Sequence, residues 1–136
     1  APLMTFMLGL VRSSSVDIQV RDVALCFVQN VAALKTKQYL HNKWLQPTME
    51  ALMAMLSEEG DFDDDDDVVP QRLSVGAVDV LCAAMPDKQM GPVVLSCCFR
   101  LAKSSNWLER KGALEILSVA SNTIFVFMQD HFDEYA

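Results

Sequence analysis

The residues most able to do chemistry in this chain are carboxylates in one block, Glu58-Glu59-Gly60-Asp61-Phe62-Asp63-Asp64-Asp65-Asp66-Asp67. Eight of the 18 acidic residues lie there. Such a density of negative charge attracts lysine- and arginine-rich segments, speeds their encounter and adds salt-sensitive affinity. Phe62 offers an apolar anchor inside the block. The same composition also serves as a solvated linker between packed segments, and the sequence leaves both roles open. A calcium loop fits less well. Asp61, Asp63 and Asp65 alternate as ligands do, but the glycine and closing glutamate of an EF-hand are missing.

The other reactive side chains do not converge. His41 and His131 are the two histidines and stand 90 residues apart, whereas a zinc or di-iron centre needs three or four ligands together. Cys26, Cys82, Cys97 and Cys98 form no C-x-x-C pair and fall in apolar helical patterns, as buried thiols of a reducing compartment do. Ser13-Ser14-Ser15 and Ser104-Ser105 lack a nucleophile elbow and suit helix capping. No glycine-rich phosphate loop is present. The expectation is therefore a non-enzymatic chain without cofactor or metal.

Those residues need a scaffold, and the rest of the sequence describes one. Fifty-one per cent of the 136 residues are apolar, with five Gly and five Pro, a packed and helix-rich composition. The net charge of −7 is carried by the acidic block; outside it ten acids face eleven bases. No basic footprint for direct nucleic-acid binding exists, no apolar run reaches the length of a membrane span, and the start lacks the basic segment of a signal peptide.

Pro2, Pro47 and Pro92 head similar segments 45 residues apart. Two, five, six and nine residues after each proline the chain is apolar: Met4, Met7, Leu8, Val11; Met49, Leu52, Met53, Leu56; Val94, Cys97, Cys98, Leu101. That is one face of a helix started by proline. A second family alternates with the first and registers on small residues, Ala24, Ala77 and Ala113. In its first member Val20, Val23, Ala24, Phe27, Val28 and Val31 recur at helical spacing and predict the buried stripe. The expected helices are 2–12, 38–57 and 88–103 for the proline family and 16–33, 69–85 and 106–121 for the alanine family. Residues 122–136 are expected to begin the next proline-type helix. Ser13–Ser15, Pro86-Asp87 and Ser104–Asn106 are connectors with capping side chains. Trp44 and Trp107 read as packing residues or, equally, as rim contacts for a peptide, and Arg12, Lys35, Lys37 and Lys43 as a solvated face. Self-similarity at this period predicts an all-α, right-handed solenoid of about three antiparallel helix pairs, a single array over 1–136 with 58–67 as an acidic loop between repeats.

Three stretches resemble the HEAT repeats of karyopherin-β (importin-β superfamily) transport receptors, and within them the importin-4 and importin-5 branch. Asn106-Trp-Leu-Glu-Arg-Lys-Gly-Ala-Leu-Glu-Ile-Leu117 is similar to that branch's first repeat helix, with Gly112 and Ala113 in the opposite order. The acidic block leads into Val68-Val-Pro-Gln-Arg-Leu-Ser-Val-Gly-Ala-Val-Asp79 as acidic connectors of the branch do. Met85-Pro-Asp-Lys-Gln-Met-Gly-Pro-Val-Val94 resembles its short link into a proline-headed helix.

The resemblance implies a central piece of a nuclear import receptor. Its partners would be basic cargo (histones, ribosomal proteins), with Ran GTPase and nucleoporins acting through the parent protein in cytoplasm and nucleus. The alternative is a HEAT scaffold or regulatory subunit of an unrelated complex. The chain opens on Ala rather than Met and stops one residue before a proline is due, as a piece cut in mid-repeat does. Its end faces are therefore expected to be uncapped, leaving the isolated chain marginally stable or prone to associate through its ends.

Overall fold

The computed structural model describes residues 2–58 and 69–135. Among the described residues the helical elements are, in order, α1 (Pro2–Arg12), α2 (Ile18–Leu34), α3 (Thr36–His41), α4 (Leu45–Leu56), α5 (Pro70–Ala84), α6 (Asp87–Ala102) and α7 (Trp107–Tyr135). No strand occurs among the described residues.

Local chemistry explains most boundaries. Asp17 caps α2 by accepting the Gln19 amide at 2.8 Å, and Asn106 caps α7 by accepting the Leu108 amide at 3.0 Å, each satisfying an amide that has no helical partner. Pro70 opens α5 at its first turn, where a missing N–H costs nothing.

Helices α1, α4 and α6 lie side by side in one layer; α2, α5 and α7 form the second. Across the layers α1 pairs with α2, α4 with α5 and α6 with α7. The result is an all-α solenoid of helix pairs, each stacked on its neighbour. The core runs between the layers and contains Ala24, Ala77 and Ala113, the three register positions, together with nearly all the proline-family residues. Met7 alone of those twelve is only partly buried. Each buried Met, Leu or Val contributes about 1.5–3 kcal/mol relative to its exposed state, so this stripe carries much of the fold's stability.

Three expectations are corrected here. Residues 38–57 are two helices, because the chain stops and restarts at 42–44. Lys43 there has φ +57°, its amide binds Leu40 O at 3.1 Å and the Trp44 amide reaches back to Tyr39 O at 3.2 Å. This is a Schellman stop with lysine where glycine is usual. The break is braced from inside. Buried Tyr39 donates its hydroxyl to Thr48 Oγ1 at 2.6 Å, and Thr48 donates to Trp44 O at 2.7 Å. The Trp44 ring meets Tyr39 edge-on, with centroids 6.1 Å apart.

Pro92 does not head a helix. It lies inside α6, whose start is set by Pro86 and Asp87, while Pro2 and Pro47 do fall in first turns. A new helical segment does begin close to Asn122, as expected, with the break at Ile124. Ile124 has non-helical backbone (φ −109°, ψ 24°), so α7 is two helical segments run together across a kink, and the second lays Phe127 against Gly91 of α6. The bilayer-length expectation also changes. Trp107–His131 is long and apolar enough to cross a membrane by length and composition, although Ala113, Ile116, Ala120 and Ile124 of this helix are buried in the array.

Candidate protein-docking face

The acidic block leaves the fold at Glu58 and the chain is picked up again at Val69. Glu59, Asp61, Phe62, Asp63, Asp64, Asp65, Asp66 and Asp67 lie outside the described residues. Glu58 itself is an anchor. It sits two residues past the end of α4 beside Arg21 of α2, a side chain only 2% exposed. Arg21 Nη1 donates to Glu58 Oε1 at 2.8 Å, Nη2 donates to Oε2, and Nε donates to Val11 O at 2.9 Å. The planar fork thus ties α1, α2 and α4 together in a bidentate, charge-assisted pair. Gln71 of α5 donates its Nε2 to Glu58 O. Both ends of the acidic excursion are therefore fastened to one corner.

Beside that corner the α1–α4–α6 layer is furrowed. One cleft of about 350 Å³ runs between α1 and α4 past Thr5, Gly9, Arg12, Pro47 and Glu50. A second of about 310 Å³ continues past Arg12, Glu50, Ser57, Arg100 and Glu109. Arg12 and Glu50 belong to both, so the two clefts join. Glu50 Oε1 accepts Gln46 Nε2 at 2.9 Å and faces Arg100 Nη2 at 3.5 Å. Arg100 also lies 3.0 Å from Met53 Sδ. Arg12 and Glu109 have no ion-pair partner among the described residues. The joined groove ends at Ser57, next to the root of the acidic block. It presents alternating charges on an apolar floor, suited to gripping an extended peptide by side-chain pairs at its rim.

The remaining reactive residues stay apart. Cys26 is exposed; Cys82, Cys97 and Cys98 are buried. Burial disfavours the thiolate, pushing Cys82 and Cys97 up to about 11 and Cys98 to about 12, away from nucleophilic reactivity at neutral pH. Burial likewise pushes Tyr39 up to about 12, the Thr48 hydrogen bond opposing it. His41 is exposed at the end of α3. His131 stacks on Phe127 with centroids 4.4 Å apart and lies 3.0 Å from Glu134. Among the described residues no three His, Cys, Asp or Glu side chains gather to hold a metal.

Sequence reading missed Arg21 and the groove. Arg21 stands three residues before the register alanine, where α5 has buried Ser74, which donates to Leu52 O at 2.8 Å. A charged residue inside an apolar stripe was the available signal. Its partner Glu58 was hidden among seven other carboxylates. Arg12 reads as ordinary surface and Arg100 draws no notice in the sequence, because nothing in the linear order sets them around Glu50.

No family model matches the chain. The probable importin subunit beta-4 of Schizosaccharomyces pombe is 28% identical over 112 residues, a stretch covering 82% of this chain and 10% of that protein. The chain thus spans about a tenth of the length of the relative it matches. The similarity supports kinship with the importin-β (karyopherin) superfamily and does not reach a branch within it.

Proposed function

We propose that this chain is part of a nuclear transport receptor, a non-enzymatic protein-binding solenoid whose α1–α4–α6 layer and acidic block dock a basic protein. The observation that carries the reading is the fastening of the block's root, through Glu58, Arg21 and Gln71, beside a groove lined by Arg12, Glu50, Arg100 and Glu109. Because Glu58 spends both oxygens on Arg21, it fixes the site, and Glu59, Asp61, Phe62 and Asp63 to Asp67 are the partner-facing set. Long-range attraction then comes from the block and register from the groove. The similarity to an importin subunit favours cargo of the histone or ribosomal-protein class. The importin-4 and importin-5 branch, suggested by the repeat motifs rather than by that similarity, belongs to the same proposal, as do release by Ran GTPase, contact with nucleoporins, and movement between cytoplasm and nucleus, all as properties of a longer protein.

The test is binding of a lysine-rich, histone-tail-like peptide, followed by fluorescence anisotropy over a salt series. Replacing Asp63, Asp64, Asp65, Asp66 and Asp67 by Ser is expected to weaken low-salt binding about tenfold or more and to flatten the salt dependence. Affinity that does not change between low and physiological salt reduces the block to a solubility linker. In that case, a parent protein that also fails to bind Ran·GTP is better read as a scaffold of another assembly.

A further inference from the structure

The charges lining the joined groove on the α1–α4–α6 layer sum to zero, Arg12 and Arg100 against Glu50 and Glu109. Two of the four are matched to each other. Glu50 and Arg100 stand 3.5 Å apart, and Gln46 donates to the same Glu50 oxygen at 2.9 Å. Arg12 ends α1 and Glu109 lies in the first turn of α7; neither has an ion-pair partner among the described residues. Helix α4 packs on α1 to one side and on α6 and α7 to the other. The two unmatched charges therefore flank the Glu50–Arg100 pair, the cation on the α1 side and the anion on the α7 side.

A glycine opens the floor of the α1–α4 cleft. Glycine inside a helix is weaker than alanine. Gly91 and Gly112 offset that weakness with close helix contacts, but a Cβ on Gly9 would meet nothing within 4 Å. Gly76 is equally open and lines neither cleft. Bare backbone at Gly9, one turn before Arg12, lets another main chain come close. We propose that the groove selects a mixed-charge segment of the docking protein, with a carboxylate seated at Arg12, a lysine or arginine seated at Glu109, and main chain crossing Gly9. This rests on the reading of the layer as a docking face for a basic protein and names what that protein must carry. The acidic block attracts any basic segment. In the groove a uniformly basic segment sets a cation beside Arg12 and leaves Arg12 unmatched, whereas a segment with one well-placed carboxylate satisfies it. Attraction and selection are thus divided between block and groove, and specificity comes from the repelled competitor as much as from the accepted partner.

A glutamate scan tests this. A lysine-rich, histone-tail-like peptide is made as a series with glutamate at successive positions, and a matched series carries glutamine there. Fluorescence anisotropy compares their binding to the wild-type chain and to Arg12→Gln. At one place in the series the glutamate-over-glutamine affinity ratio is expected to fall about two- to fivefold in Arg12→Gln, the size of an exposed ion pair. Glu109→Gln should lower the advantage of lysine over glutamine at another place by a similar factor. Gly9→Leu is expected to weaken every peptide about threefold or more while raising the thermal midpoint, since leucine is the better helix former and meets no neighbour there; a merely structural role would move both readouts the same way. A series in which no position depends on Arg12 overturns the proposal, as does unchanged binding in Gly9→Leu. Replacing Asp63 to Asp67 by Ser separates the two readings. It should weaken all peptides alike and leave the Arg12-dependent position in place; if it weakens none while that position persists, the role of the block fails and the selection by the groove stands. A chain that binds no peptide of either series overturns both.

Discussion

At the α1–α2–α4 corner a guanidinium reaches between three helices; at the α6–α7 seam an aromatic ring lies against a glycine. Arg21 satisfies the Val11 carbonyl and both Glu58 oxygens in a site almost closed to water. At the seam nothing is charged. Gly91 brings α6 so near α7 that an added Cβ would stand 2.3 Å from Phe127 Cδ1. Both contacts hold one helix to the next, yet they fail in opposite ways. The corner is hurt by taking atoms away, because the remaining charge is left buried and unpaired. The seam is hurt by adding them, because a close-packed contact has nowhere to put a methyl group. Two contacts in one helix array can thus be held by unrelated physics, and a substitution rule learned at one does not transfer to the other.

The largest expected effect is at the corner. Arg21→Ala should cost about 3 kcal/mol of unfolding free energy, the low end for a broken buried pair because Glu58 keeps some access to water. Chemical denaturation measures it. The double variant Arg21→Ala/Glu58→Ala should be less destabilised than the two single losses added together by about 1 kcal/mol or more. Simple additivity would show that the pair is no clamp.

At the seam, Gly91→Ala should cost about 1–2 kcal/mol net, the clash outweighing the gain of about 1 kcal/mol from placing alanine in a helix. Gly112→Ala is the control. Its added methyl would meet the Leu56 side chain less closely, at 2.9, 3.0 and 3.3 Å, an aliphatic group with more rotamer freedom than a ring, and helix propensity offsets much of the clash. Its stability should stay within about 0.5 kcal/mol of wild type. Equal losses at the two glycines would contradict the account of the seam.

The smallest effect lies between these regions, at the α3–α4 stop. Lys43→Gly removes the left-handed strain of a side chain at φ +57° and should raise stability by about 0.5–1 kcal/mol, read as a higher thermal midpoint.

Much of the architecture was legible because it rests on period. Met49, Leu52 and Leu56, or Val94, Cys97 and Cys98, announce a buried helix face wherever that face turns. The small register residues mark where helices approach. The stripe predicted on α2 shows the limit of the method. Val20 and Val23 share the helical spacing of Val28, yet they are solvent-facing while Arg21, Leu25 and Ala32 are buried. Period identifies a side of a helix; it does not say which neighbour will cover it. The candidate site divides along the same line. The acidic block is obvious from composition, but the role of Glu58 depends on Arg21, 37 positions away.

By itself, then, the sequence determined the helices, their order, the faces fit for burial and the concentration of negative charge. These follow from local backbone preference and from spacing along one chain. Tertiary structure alone decided that Glu58 is an anchor, that Arg12 and Arg100 share a groove with Glu50, that Gly91 is a contact while Gly76 is open, and that Leu114 is bare where Leu25 is covered. Each depends on which helix lies beside which, and that is set by the sum of many weak contacts over the whole array.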